Sequence, residues 1–248
     1  MTDILKLMTN HRSIRKWKKD PIPESLLESL FEAAMATSTS NGMQQASIIR
    51  VKNQEVRQAL SELASQDYLV EAPELLVFVV DNYRTSKILE ESGLSAKFAH
   101  DMDKFFQGFT DASLMAQNVA LAAESQGLGI VYFGSILNDA QKTISILKLP
   151  KYTFPVVALG IGYPDQKPEK KPRMDKTLRV FEDCYHKLPS YLEALADYDQ
   201  EMNSYYDLRT PDYPLPKFTD QVASKNAKAV QNRDKIMETI KNQGFSGL

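Results

Sequence analysis

Within five residues, His11-Arg12-Ser13-Ile14-Arg15 gathers an imidazole, two guanidinium forks and a hydroxyl directly after a short helical stretch. An arginine fork pairs bidentately with a phosphate, and a serine hydroxyl with nearby backbone N–H groups fills the remaining lone pairs, so the chemistry on offer is the holding of an anion. A short basic run is equally what a solvated surface carries. Three other segments bear on the choice. Lys171-Pro172-Arg173 follows an apolar run; at the same sheet edge as residues 11–15 it places three arginines and a lysine around one anion, and alone it reads as a solvated loop. Ser38-Thr39-Ser40 offers hydroxyls to a phosphate or a sugar, or simply ends a helix. Tyr132-Phe133-Gly134-Ser135 is a strand end where a flat ligand meets backbone with no intervening Cβ, or a bulge.

Other chemistries find no support. GxGxxG, GxxxxGK[ST] and GxSxG are all absent. His11, His100 and His186 are scattered, and Cys184 with His186 cannot close a zinc site, so no metal is expected. Cys184 is the single cysteine, which excludes an intrachain disulfide, and no apolar secretory start is seen; the cytoplasm is the expected compartment. A net charge of −2, with 25% charged and 43% hydrophobic residues, describes an ordinary globular chain without the positive field that recruits nucleic acid. No apolar run reaches the length of a bilayer span.

The elements that must position these residues are readable from periodicity. Thr2 or Asp3 caps a short helix that Asn10 ends, and Pro23 opens a second with a stripe of Leu26, Leu27, Leu30, Phe31 and Ala34, ending near Ala36. Strands are expected at 47–51, 75–80, 130–133 and 154–161, the second an almost unbroken apolar run of the kind covered on both faces. Helices are expected at 54–65, over a charged stretch from 85 to 106, at 111–126 and at 139–147. The 111–126 segment is apolar nearly all round, and such a helix is buried against the sheet, a partner, or both. Two last helices, near 189–206 and 221–243, flank a proline-containing segment. Helices outnumber strands, so the fold class is α+β, one elaborated domain over 1–248 with residues 189–248 as a helical extension.

Taken in order and spacing, His11 to Arg15, the hydroxyl loop followed by Gln44, Tyr132 to Ser135, and Lys171 to Arg173 resemble the FMN-dependent nitroreductase superfamily. Within it the chain looks most like the branch of oxygen-insensitive NADPH nitroreductases and NADPH-flavin oxidoreductases, over residues 4–209. The resemblance implies a central mixed sheet flanked by helices, with the long buried helix at a homodimer interface. It implies tightly bound FMN held by His11, Arg12, Ser13, Arg15, Gln66, Lys171 and Arg173, with Tyr132, Phe133, Gly134 and Ser135 beside the ring and Thr39 and Ser40 reaching in from the partner. Ser135 stands where many relatives have glycine. It further implies ping-pong, two-electron reduction of small aromatic acceptors (nitroaromatics, quinones, flavins or azo compounds) by NADPH or NADH, with no catalytic side chain beyond the cofactor's holders. Segments 85–108 and 205–218 would line the acceptor pocket. Arg209, after Tyr205-Tyr206, matches the first of several arginines that read the 2′-phosphate of NADPH, but only Lys217 follows it, which leaves NADH use open. A non-catalytic flavin or nucleotide storage module is the alternative.

Overall fold

The computed structural model describes residues 3–228, 230 and 232–245. The chain divides into two compact units, one of Met1–Thr9, Ser13–Gln166 and Val230–Leu248, the other of Asn10–Arg12 with Lys167–Ala229.

The first unit holds α1 (Ile4–Thr9), α2 (Glu24–Met35), β1 (Ala46–Arg50), α3 (Gln54–Ala64), α4 (Tyr68–Glu71), β2 (Glu74–Asp81), α5 (Tyr83–Glu91), α6 (Met102–Ser125), β3 (Gly129–Phe133), α7 (Ala140–Ile146) and β4 (Thr153–Gly162). Its four strands stand in the order β1-β2-β4-β3. All three pairings are antiparallel, where a mixed sheet was expected. The β1-to-β2 and β3-to-β4 connectors each turn back at one end of the sheet, Arg50 lying opposite Leu76 near the start of β2, while the β2-to-β3 segment crosses to the other end and leaves β4 to run antiparallel between them. The α+β class itself stands as read. Leu75 to Val80 are buried throughout, which is why β2 reads as a continuous apolar run. Pro155 is the third residue of β4, and the register shift between Phe78 and Val79 opposite it absorbs the missing N–H.

Helix ends follow local chemistry. Asp3 caps α1, its Oδ1 accepting from the N–H of Leu5 at 3.1 Å; the other cap candidate, Thr2, lies outside the described residues. The charged stretch expected from 85 to 106 is instead α5, closed near left-handed Gly93 (φ 71°), and the first turns of α6. Helix α6 starts at Met102, earlier than the 111 read from the apolar stripe, because Asp101 caps it by accepting from Lys104 N–H at 2.9 Å. Its inner face packs on the sheet, and Leu114 on the other side is 47% exposed, so this chain alone does not bury it all round.

The second unit carries α8 (Tyr191–Ala194), α9 (Ala196–Met202) and α10 (Phe218–Asn226), while α11 (Ile236–Asn242) returns to the first. The expected 189–206 helix is broken at Leu195, whose buried side chain anchors the interruption. The expected 221–243 helix, which includes residues 229 and 231 outside the described set, is also divided: α10 buries no residue, and Asn232 turns left-handed (φ 66°) before α11. An element without an apolar stripe has nothing to extend it.

Candidate functional site

In the first unit, the strip Ser13–Arg15 lies along β3. The backbone N–H of Ile14 donates to the carbonyl of Ile130 at 2.8 Å, and the indole of Trp17 donates to the carbonyl of Gly129 at 3.0 Å. Gly129 permits this approach, since a Cβ there would sit 2.5 Å from Ile14 Cγ1. Ser13 and Arg15 are half-buried on either side of the anchored Ile14. The Nε of Arg15 is buried without a hydrogen-bond partner, and so is the Nε of Arg12, three residues earlier in the second unit. Buried N–H donors are almost always satisfied, so each of these orphaned guanidinium donors, taken by itself, calls for an acceptor.

At the far end of β3, two residues singled out separately in the sequence meet. Ser135 Oγ donates to Gln66 Oε1 at 2.5 Å, and Gln66 Nε2 donates to the hydroxyl of Tyr68 at 2.7 Å. Gln66 is delivered there by the left-handed Ser65 (φ 51°) that ends α3, and the Tyr68 ring lies 5.4 Å from that of buried Phe133. Gly134 is exposed, and a Cβ on it would meet nothing within 4 Å, so its backbone borders open space. The hydroxyl of Tyr132 donates to Gln117 Oε1 on α6 at 3.3 Å; burial, then nearby Glu124, pushes its phenol well above the usual range.

Thr39 and Ser40 stand elsewhere. They precede β1, one edge strand, whereas Ser13–Arg15 runs along β3, the other. Three strand spacings, roughly 14 Å, separate those edges. Thr39 lines an open groove of about 790 Å³, together with Phe31, Met35, Met43, Ile48, Ile88 and Met115.

In the second unit, Lys171, Arg173 and Arg209 share a neighbourhood. Burial first, and then the positive charge of Arg209, hold the Lys171 ammonium below its ordinary value, with Lys225 and Arg173 adding to the same direction and Asp207 opposing it. Arg209 is gripped from two residues away: its Nε and Nη2 donate to the two oxygens of Asp207 at 2.9 and 2.7 Å. The fork that the sequence offers to a 2′-phosphate is thus occupied by a buried carboxylate. Arg173 donates to the carbonyls of Lys171 and Pro172, both at 3.3 Å. His11 and Arg12 are half-buried.

The sequence reading passed over Tyr68 and Asp207, the partners that orient Gln66 and Arg209. Their signal was local, two residues along the chain in each case. No helix among the described residues is long and apolar enough to cross a membrane, and no group of three metal-ligating side chains occurs among them.

Comparison with known proteins adds independent findings. A model described as the nitroreductase family matches residues 8–163, and one described as the nitroreductase family, C-terminal domain, matches residues 171–247. An NADPH-dependent oxidoreductase of Staphylococcus saprophyticus is 38% identical over 257 residues, covering 98% of this chain and 97% of that protein. NfrA2 of B. megaterium superposes with a TM-score of 0.91 at 28% identity, over 100% of both chains. The NADPH:FMN oxidoreductase of Vibrio harveyi complexed with NAD+ superposes at 0.86 with 33% identity, over 98% of each.

Proposed function

This chain belongs to the nitroreductase family and is an NAD(P)H-dependent oxidoreductase, and on that premise we propose that it holds FMN and reduces small aromatic acceptors by two electrons at a time. The observation that carries the cofactor is the pair of buried, unpartnered Nε donors on Arg12 and Arg15. A flavin offers them what they lack, a phosphate and a ring edge rich in acceptors. His11, Ser13, Lys171 and Arg173 are proposed as further holders. Lys171, depressed by burial and like charge, regains its ordinary ionisation beside an anion. Gln66, fixed between Ser135 and Tyr68, is a pre-set polar contact, and Tyr132 to Ser135 supply backbone that a flat ring can approach at Gly134.

Bound FMN supplies hydride chemistry between NADPH or NADH and the acceptor, so the protein's part is to bind, orient and set charge. Arg15 and Lys171 stabilise negative charge on the reduced cofactor, and no side-chain acid or base is assigned. Nitroaromatics, quinones, free flavins and azo compounds are the proposed acceptors, with segments 85–108 and 205–218 lining their pocket. Arg209, once released from Asp207, is the residue proposed to meet the 2′-phosphate on the adenosine ribose of NADPH.

A homodimer is proposed as the working form. Thr39 and Ser40 sit at the opposite sheet edge from the Ser13–Arg15 strip, so they serve the flavin of a second copy rather than their own. The apolar groove that Thr39 lines, and Leu114 left open on α6, are the surface such a copy would cover. The cytoplasm is the proposed compartment.

Colour is the decisive assay. Purified protein should be yellow, bleach on addition of NADPH or NADH, and recover with a nitrofuran or menadione. Yellow protein that never bleaches would identify a storage module instead, and colourless protein that refuses added FMN would refute the cofactor. Initial rates with NADPH and NADH in parallel fix the donor.

A further inference from the structure

Asp111 is a buried acid that the proposed chemistry leaves unused. It is 1% exposed, in the middle of α6, with Gly108, Ala112 and Met115 buried around it. Removing an ionised carboxylate from water is expensive unless its lone pairs find donors. Here both oxygens do: Oδ1 accepts from the backbone N–H of Ser40 at 2.9 Å and Oδ2 from the backbone N–H of Gln45 at 3.1 Å. Between those two anchors the chain passes through left-handed Asn41 (φ 52°), Gly42 (φ 69°) and Gln44 (φ 52°). Glycine adopts that region freely and asparagine with little cost, but a residue such as Gln44 does so only when its surroundings impose it. Gln45 is fixed further, donating to Gln107 Oε1 at 3.0 Å and accepting from Asn82 Nδ2 at 3.1 Å. The loop is therefore stapled to α6 at both ends of its strained segment, and the staple's first foot is Ser40 itself.

We infer that Asp111 is a positioning residue, whose carboxylate fixes the Thr39–Ser40 hydroxyl pair so that it can serve the flavin bound by a second copy of the chain. This rests on the proposed reading of Thr39 and Ser40 as flavin contacts. Asp111 touches no cofactor. Asparagine is nearly isosteric but carries one acceptor oxygen and an NH₂ group, so in Asp111→Asn one of the two backbone donors faces another donor.

The test uses the dimeric holoenzyme and counts FMN sites by fluorescence titration. Asp111→Asn and Arg15→Ala homodimers should each bind FMN at least tenfold more weakly than wild type. A differentially tagged heterodimer of the two variants should recover one site of wild-type affinity, because the intact Arg15 of one subunit then meets the intact loop of the other. Two weak sites per heterodimer, or unaltered affinity in the Asp111→Asn homodimer, would overturn the inference. Thr39→Ala/Ser40→Ala tests the underlying reading alone: unchanged FMN affinity there removes the reading and the inference with it, whereas weakened affinity there with an unaltered Asp111→Asn protein removes the inference only. Should Asp111→Asn fail to fold, amide exchange in the wild-type holoenzyme decides the matter. Ser40 and Gln45 N–H groups protected like those of the sheet support the staple, and exchange at open-loop rates overturns it.

Discussion

Gly129→Ala is expected to lift the Ser13–Arg15 strip off β3 and to take flavin affinity with it. An alanine methyl at 129 would lie 2.5 Å from Ile14 Cγ1 and 2.8 Å from Ile14 Cβ. Comfortable carbon contact begins near ~3.5 Å, so something must retreat by roughly 1 Å. Rotating the Ile14 side chain relieves the first clash but not the second, because Cβ is fixed to the backbone. The strip itself must move. The 2.8 Å bond from Ile14 N–H to Ile130 then exceeds hydrogen-bond length, and the Trp17 indole bond to Gly129 is disturbed with it. Two bonds at about 1 kcal/mol each and an overpacking strain of about 1–3 kcal/mol are offset by about 0.5 kcal/mol from the stiffer unfolded chain. The net loss is about 2.5–4.5 kcal/mol, or roughly 5–18 °C in Tm for a chain of this size. Trp17 is the single tryptophan and is buried, so its emission should shift to the red as the strip loosens. The FMN Kd, followed by recovery of free-flavin fluorescence, should rise at least tenfold. An unshifted emission with wild-type Tm and Kd would refute the idea that the close approach at Gly129 sets the strip; a lowered Tm with unaltered Kd would refute its link to the flavin.

Arg57→Met should destabilise the fold by roughly 3–5 kcal/mol, because buried Arg57 donates to the carbonyls of Val51, Ala72 and Pro73, which would be left without it. FMN affinity should stay within about threefold, and chemical denaturation with a parallel FMN titration separates the two effects. Lys171 predicts an alkaline limb. Its folded value lies below the ordinary 10.5, so the folded chain sheds this proton first: stability of the FMN-free protein increases as pH climbs through the window below 10.5, while the hold on an anion weakens. FMN Kd should rise with pH across that window in wild type and flatten in Lys171→Met; identical profiles would remove Lys171 from the grip. Because Asp207 occupies the Arg209 fork, Arg209→Ala should alter the NADPH-to-NADH ratio of kcat/KM by less than about threefold. Asp207→Asn should lower the KM for NADPH more than that for NADH, and a selective rise for NADPH in Arg209→Ala would show that Arg209 reads the 2′-phosphate as it stands.

The sheet was legible because burial on both faces writes itself into sequence. β2 and β4 are apolar on both sides of the pleat, and their limits were read to within a residue or two. Helices α2 and α3 were legible for the related reason that one apolar stripe repeats every turn. The C-terminal region was less so, since α10 buries nothing and no stripe separates a helix from a charged loop. Pro155 shows a different limit. Its tolerance depends on a bulge made jointly with Phe78 and Val79, a property of the pairing rather than of either strand.

The site divides along the same line. Residue types pointed to an anion holder at 11–15, but what fixes the strip is a contact across 114 intervening positions, from Ile14 to a glycine that looks like an ordinary strand start. Asp111 was hidden more deeply. In a helix otherwise read as apolar nearly all round, one acid is indistinguishable from a solvated one until its two backbone donors are seen. Those donors belong to a loop that itself looked like a helix-ending turn. Its hydroxyls fall at the sheet edge opposite the Ser13–Arg15 strip, so the site as proposed draws on two copies of the chain and the fold of one copy does not assemble it. Periodicity reports what each element does within its own chain; under the proposed dimer Asp111 positions hydroxyls for a second copy, and a residue with such a role leaves only one acid on an apolar helix.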